Sequence, residues 1–529
     1  MKTCGKLIVE LLEAYDFELV FGIPGAHTLE LYRGLEGSSL RHISARHEQG
    51  AGFMADGYAR ASGKPAACFT ITGPGATNIA TPMGQAYAES VPMLVISSVT
   101  HRPSLGLGTG RLHELRAQRN LMSGVSAFAH TVLRPEELPQ LFARAFAIFG
   151  SQRPRPVYFE VPVDVLGSSA DGVEPRRVAI PAPPGPNPEA IAQAATLLKA
   201  AERPLLILGG GTADAGSEAR AMAEALDAPV AITVNAKGVI PGGHPLLLGA
   251  NMGYAPVRQA IAEADVVLAV GTELGETDRF PDTRDLEFNG KLVRVDLDSQ
   301  QMTAGYLADV AMVADAALAL SALRRALVGM EAIPLEKSPG VRRAADLREA
   351  IHQQWRDEIK VHSRLLHTLQ QALPGLLLVG DSTQPAYSAN YCFDPPQPRS
   401  YISSATGYGT LGHALPAAIG AKLSAPERPV VVLSGDGGFQ FTLPELASAV
   451  DAEAPIIILL WNNGGYGEIR RQMEAEGIPP VATDFFTPDF VAVARGYGLA
   501  AGRAANLAQL EGLLEAARGR NSPTPVSYT

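Results

Sequence analysis

Cysteine is scarce. Cys4, Cys68 and Cys392 lie far apart and no CxxC pair exists. That spacing points to neither a zinc site nor a disulfide framework, and it fits reduced thiols in a cytoplasm. Positive charge is also in short supply: 44 Lys and Arg stand against 54 Asp and Glu, a net charge of -10. Nucleic acids and anionic membranes are bound through clustered Lys and Arg, so neither is an expected partner. No apolar run is long enough to span a bilayer. The opening segment, "MKTCGKLIVELLEAYDFELVFG", places Glu10, Glu13 and Asp16 inside its apolar pattern. It reads as an amphipathic helix entering a strand, not as a signal peptide. No short-period repeat is visible.

What the chain does have is a repeated alternation of short apolar runs and helical patterns. "ELVFGI", "PAACFTIT" and "PMLVISSV" open the series, "RPLLILGGG", "APVAITV", "ADVVLAVG" and "KLVRVDLD" continue it, and "GLLLVGD", "RPVVVLSGDGG" and "APIIILLWNN" close it. Continuous apolar strands alternating with helices predict α/β doubly wound parallel sheets, covered on both faces. Residues 167–188 are rich in Pro, Gly and Ser, and 328–340 less so. These linkers divide the 529 residues into three expected domains, 1–166, 188–328 and 341–529. Ligands of such sheets sit beyond the carboxyl ends of the strands.

Two of those strand ends are unusual. Asp436 follows an apolar run inside "SGDGG", and twenty-four residues lie between Gly437 and Asn462 of "WNNGGYG". That interval holds one helix and one further parallel strand, so Asp436 and Asn463 are expected at neighbouring strand ends. Gly435, Gly437 and Gly438 leave backbone N–H groups open to close approach. A carboxylate, an amide oxygen and a backbone carbonyl are hard ligands that, with phosphate oxygens and water, complete an octahedral magnesium site.

"GDGG…WNNGGYG" resembles the diphosphate-binding motif of thiamine-diphosphate enzymes of the acetolactate synthase and 2-oxo-acid decarboxylase superfamily, and the likeness extends over nearly the whole chain. The resemblance implies three domains (pyrimidine-binding, central and diphosphate-binding). It implies Asp436, Asn463 and the carbonyl of Gly465 as magnesium ligands, with Gly437, Gly438 and Tyr466 near the diphosphate. "RHEQGAGFMADGYAR" supplies Glu48 as the acid that bonds the cofactor's aminopyrimidine ring, beside Asn78 of "TGPGATN". "GYGTLGHALPAAIGA" places Gly409 and Leu411 where the family holds the cofactor bent, and "GDSTQ" places Thr383 and Gln384 near the diphosphate. Pro24, in "FGIPGAHTLELYRGL", belongs to a turn aimed at the cofactor. The family's sites lie between subunits, which implies a homodimer or homotetramer. The glycine run "GGGTADAG" of the central segment is a poor dinucleotide fingerprint, because Asp214 stands where its last glycine belongs and no acid ends the next strand. FAD, which some relatives bind there, is not expected.

Which 2-oxo acid enters depends on the polar groups near the reacting carbon. His113, in "GTGRLHELRAQRN", and His27 are candidates for proton transfer. Glu114, Glu468 and the neighbouring Ile469 are candidates for contact with the substrate tail. Carboxylates suit a guanidinium, which pairs with them through two parallel hydrogen bonds. These segments resemble the arginine-catabolic branch of the superfamily, the 5-guanidino-2-oxopentanoate decarboxylases. The resemblance then implies non-oxidative release of CO2 and formation of 4-guanidinobutanal. A pyruvate-using carboligase of the acetolactate synthase type, and a relative that binds the cofactor without turnover, remain alternatives.

Overall fold

The computed structural model describes residues 1–330 and 333–528. Glu331 and Ala332, within the second expected linker, and Thr529, at the end of the third expected domain, lie outside the described residues. The chain divides into two compact units: Met1–Pro181 with Ala372–Gln384 and Gly407–Thr529, and Ala182–Gln371 with Pro385–Thr406.

The first unit begins with the Cys4–Ala14 helix, capped by Thr3, whose hydroxyl accepts from the Lys6 N–H. Its strands are β1 (Leu19–Gly22), β2 (Arg41–Ser44), β3 (Ala66–Thr70), β4 (Met93–Val99), β5 (Phe128–Thr131) and β6 (Val157–Pro162). They form a parallel sheet in the order β2-β1-β3-β4-β6-β5. β3, β4 and β6 are buried along their whole length, as continuous apolar runs under helices on both faces should be. The second unit contains β7 (Pro204–Leu208), β8 (Val230–Ile232), β9 (Leu247–Gly249), β10 (Val266–Val270), β11 (Lys291–Asp296) and β12 (Val310–Val313), in the order β12-β11-β10-β7-β8-β9. The short β14 (Tyr401–Ser403) also belongs to this unit, as do the helices Pro339–Gln354 and Asp357–Ala372 over nearly all their length. Residues 173–187 carry no helix or strand.

The third sheet contributes β13 (Leu377–Gly380), β15 (Val430–Gly435), β16 (Ile457–Trp461), β17 (Gly502–Ala504) and β18 (Thr524–Tyr528) to the first unit. They run parallel in the order β13-β15-β16-β18-β17. Within this unit the Glu48–Ser62 helix lies against the Ala414–Ser424 helix at backbone distance. A Cβ at Gly57 would fall 1.9 Å from the Ala417 carbonyl oxygen, and one at Gly420 would fall 1.8 Å from that of Met54. Only glycine permits that approach. It fixes the helix that starts at Glu48 to the helix that follows Leu411. Among the described residues no helix is long and apolar enough to cross a membrane.

Candidate active site

Glu48 opens its helix. His47 caps it, with Nδ1 accepting from the Gln49 N–H at 3.1 Å. The preceding backbone is held from the C-terminal part of the unit: the buried Glu445 carboxylate accepts from the N–H of Arg46 and of His47, the latter at 3.0 Å. Burial pushes the Glu445 carboxyl above its ordinary range, against those donors and the Ser448 hydroxyl. Glu48 itself is half-buried, and Asn78 Nδ2 donates to its Oε2 at 3.0 Å. Asn78 sits on the Pro74–Ala88 helix, which starts at Gly73 in a left-handed conformation, φ 66°.

That turn brings in the histidine loop. A Cβ on Gly73 would lie 2.4 Å from the carbonyl oxygen of His113. Thr72 Oγ1 donates to the same carbonyl at 3.3 Å. Beneath it the buried Gln118 takes the Gly73 N–H on its Oε1 at 2.8 Å, while its Nε2 donates to the Ser98 carbonyl, the Tyr158 hydroxyl and Glu160. The His27 and His113 rings meet edge to face at 5.4 Å, each with a buried Nδ1 that has no hydrogen-bond partner among the described residues. Burial, then the proximity of His113 and His101, lowers the His27 pKa. Pro24 is exposed at the start of the turn whose Gly25 N–H is held by Thr28 Oγ1.

Glu114 is otherwise engaged. Its two oxygens accept from the backbone N–H of Gly108, Thr109, Gly110 and Arg111, at 2.7 to 3.3 Å. The Arg111 N–H foremost, then those of the three preceding residues, hold its carboxyl below the ordinary range. It shapes the loop that presents His113.

The second group of residues gathers at the carboxyl ends of β13, β15 and β16. Asp436 is buried, and burial raises its pKa against the backbone N–H of Asn463, the Thr487 hydroxyl and the N–H of Gly465. The oxygen of the Asn463 amide lies 2.9 Å from the Gly465 carbonyl oxygen and 3.1 Å from Asp436 Oδ1, while its Nδ2 faces Gln384 Oε1 at 3.4 Å. Turned over, the amide donates to both oxygens, and that orientation satisfies its neighbours. In the other orientation a carboxylate, an amide oxygen and a backbone carbonyl would meet, the donor set that a hard divalent ion takes. Thr383 packs against Gly435, and Tyr466 covers Gly437, where a Cβ would meet its ring at 2.7 Å. A Cβ on Gly409, φ 74°, would meet nothing within 4 Å, so its backbone is open.

Asp381 ties these turns together. It is buried, accepts from the Gly412 N–H at 3.1 Å and from Ser434 Oγ at 3.2 Å, and burial raises its pKa. Leu411 is thereby held between Gly412 and Thr410, whose hydroxyl donates to Gln85 Oε1 at 2.8 Å. The buried His413 pairs with the buried Asp56 at 2.8 Å. Glu468 and Ile469 lie in the first turn of the Gly467–Ala475 helix, beyond the Gly465 carbonyl. Ile469 is exposed, and Glu468 pairs with Arg471.

Sequence reasoning missed Gln118, Asp381, Thr487 and Glu445. Asp381 had a signal, an acid directly after the apolar run "GLLLVG". The others act through partners distant in the chain and have none.

In the second unit, the Gly209–Gly211 turn is filled by protein: a Cβ on Gly209 would lie 2.1 Å from the Gly271 carbonyl oxygen, and one on Gly211 2.9 Å from the Gly271 Cα.

Strand-end glycine turns, the cluster of Asp436, Asn463 and the Gly465 carbonyl, and a helix-opening Glu held by Asn are the features of a cofactor-dependent α/β enzyme. Family models agree with them. Residues 2–121 match the thiamine pyrophosphate enzyme N-terminal TPP binding domain, 191–323 the central domain, and 381–527 the C-terminal TPP binding domain. The chain belongs to the thiamine pyrophosphate enzymes. Its relatives include a Pseudomonas aeruginosa protein described as probable 2-ketoarginine decarboxylase AruI, 48% identical across 99% of this chain and 93% of the relative. The probable acetolactate synthase large subunit of Methanocaldococcus jannaschii is 32% identical, across 98% of this chain and 90% of its own. The acetolactate synthase isozyme 1 large subunit of Escherichia coli is 33% identical, across 94% and 88%.

Proposed function

We propose that this enzyme removes CO2 from 5-guanidino-2-oxopentanoate, the acid also called 2-ketoarginine, and releases 4-guanidinobutanal. The observation that carries the reading is Glu468, a carboxylate on the turn directly after the metal triad, combined with 48% identity to the Pseudomonas protein over nearly its whole length. Asp436, Asn463 and the Gly465 carbonyl would hold Mg2+, and through it the diphosphate. Gly437 and Gly438, packed against Tyr466 and Asp381, lie at the same strand ends as Thr383 and Gln384 and would line the diphosphate. Bound thiamine diphosphate supplies an electron sink for the carbon that loses CO2. Glu48, oriented by Asn78, holds a proton at the aminopyrimidine ring nitrogen. The open Gly409 carbonyl would accept from the exocyclic amino group, and Leu411, fixed by its neighbours, would pack against the bound cofactor. His113 and His27, presented by the Gly73 turn and the Pro24 turn, deliver the proton that the aldehyde carbon requires. Glu468, beside Ile469, takes the guanidinium, and Glu114 keeps the histidine loop in shape.

In this reading the domains are 1–166, 188–328 and 341–529. Two copies of the chain complete each site, in a dimer or tetramer working in the cytoplasm. The filled glycine turn at Gly209–Gly211 supports a central domain without FAD. The test offers purified protein, with thiamine diphosphate and Mg2+, the guanidino acid and pyruvate in separate reactions, with products read by mass spectrometry. The expected product is 4-guanidinobutanal. Acetolactate from pyruvate, with the guanidino acid untouched, would assign the chain to the carboligases instead. Cofactor binding without any turnover would assign it to the non-catalytic relatives.

A further inference from the structure

Glu468 and Arg471 lie one turn apart on the same face of the Gly467–Ala475 helix. Arg471 Nε donates to Glu468 Oε2 at 3.1 Å, its Nη2 donates to Oε1, and Gln472 Nε2 adds a bond to Oε1 at 3.1 Å. The two parallel bonds are the arrangement that any guanidinium takes on a carboxylate. The adjacent Arg470 turns elsewhere. It pairs with Asp484, beside the bridge between Gly465 and Asp484 and the Tyr466 N–H bond to the Thr483 carbonyl at 2.8 Å. Arg470 therefore fastens the helix to the chain that returns past the metal triad, while Arg471 occupies the carboxylate.

The two partners of the pair are unequally placed. The Glu468 side chain is 21% exposed and that of Arg471 is 42% exposed, on a helix with no buried residue. Arg471 is the more exposed of the two, and its long stem gains rotamer freedom when it leaves the carboxylate. Glu468 is the more confined of the two.

We propose that Arg471 is an internal stand-in for the substrate: it covers Glu468 in the empty enzyme and gives up the carboxylate to the incoming guanidino group. The inference rests on the reading of Glu468 as the residue that takes the substrate tail. One guanidinium is exchanged for another, so the carboxylate is never left unpaired beside the reacting groups. A guanidino acid binds only by displacing Arg471. A 2-oxo acid with an uncharged tail makes no such demand. Arg471 thus sets how strongly charged tails are selected.

Steady-state kinetics of the holoenzyme, reconstituted with thiamine diphosphate and Mg2+, test this. An ion pair of such exposure is worth a factor of a few in equilibrium, so Arg471→Met should lower KM for 5-guanidino-2-oxopentanoate by roughly twofold to fivefold. KM for 2-oxopentanoate, which has no charged tail, should not move. Arg471→Lys, which keeps the charge and loses the fork, should fall between and serves if the Met variant folds poorly. In a Glu468→Gln background the Arg471 substitution should have no effect. A KM for the guanidino acid that stays constant or rises in Arg471→Met and Arg471→Lys, while Glu468→Gln raises it, overturns the exchange but keeps Glu468 as the tail site. A Glu468→Gln variant with unchanged KM for the guanidino acid removes the reading of Glu468 and the exchange with it.

Discussion

Replacing Asp436 by Asn should separate what this residue costs the fold from what it gives the cofactor site. The Asp436 side chain is 1% exposed, and its supports among the described residues are neutral: the N–H groups of Asn463 and Gly465 and the hydroxyl of Thr487. A buried charge satisfied only by neutral donors is costly. An Asn of the same shape keeps an acceptor for Thr487 and carries no charge, so the metal-free protein should be no less stable than wild type, and it should melt at the same temperature or higher. The response to cofactor should be the reverse. A ligand present at a hundred times its Kd stabilises the folded state by about 2.7 kcal/mol. At roughly 2 °C per kcal/mol for a large domain, wild type should gain about 5 °C on addition of Mg2+ and thiamine diphosphate. Asp436→Asn should gain about 1 °C or less, because the triad has lost its only charge. Differential scanning fluorimetry with and without Mg2+ and the cofactor reads both quantities. A variant that retains the full ligand-induced shift would refute the metal assignment. One that melts well below wild type without ligand would show that Asp436 serves the fold.

Glu48→Gln can keep the Asn78 contact through its amide oxygen, so melting temperature and cofactor affinity should change little while turnover falls about 10²- to 10⁴-fold; turnover within a few-fold of wild type, followed by CO2 release, would deny Glu48 its role. Gly73→Ala should strain the backbone by about 1–3 kcal/mol at φ 66° and drive its Cβ into the His113 carbonyl, lowering kcat more than cofactor affinity. Unchanged kcat would mean that the His113 loop is not set by this turn. Burial pushes His42 down to about 4, below the 6.5 of an unfolded histidine, so it folds neutral. Its contribution is complete above pH 6.5 and is lost as pH falls toward 4. His42→Gln should therefore lose less stability than wild type across that window in urea titrations, and parallel curves would refute the shift.

The parallel sheets were legible because each buried strand is a short continuous apolar run, as in "PMLVISSV" and "PVVVLS". The meeting of Asp436 and Asn463 at neighbouring strand ends was legible for a related reason. Both residues follow directly on such runs, so local sequence alone places them there. Residues that act at long range were hidden. Gln118 reaches Gly73 across 45 positions and Thr487 reaches Asp436 across 51, with no local pattern to mark either. Glu114 shows a different limit. Sequence finds a carboxylate beside His113, but only folding shows that four loop amides claim it. Glu468 and Arg471 show the same limit in a milder form, since their spacing allows a pair without stating what the pair is for.

The most direct measurement compares kcat/KM for 5-guanidino-2-oxopentanoate and for 2-oxopentanoate in wild type and Glu468→Gln. A hydrogen-bonded charge pair contributes about 1.5–3 kcal/mol, so wild type should prefer the guanidino acid by about 10- to 100-fold, and Glu468→Gln should lose most of that preference. Equal kcat/KM for the two acids in wild type, or a preference that survives Glu468→Gln intact, would contradict the assignment of Glu468 to the substrate's guanidinium.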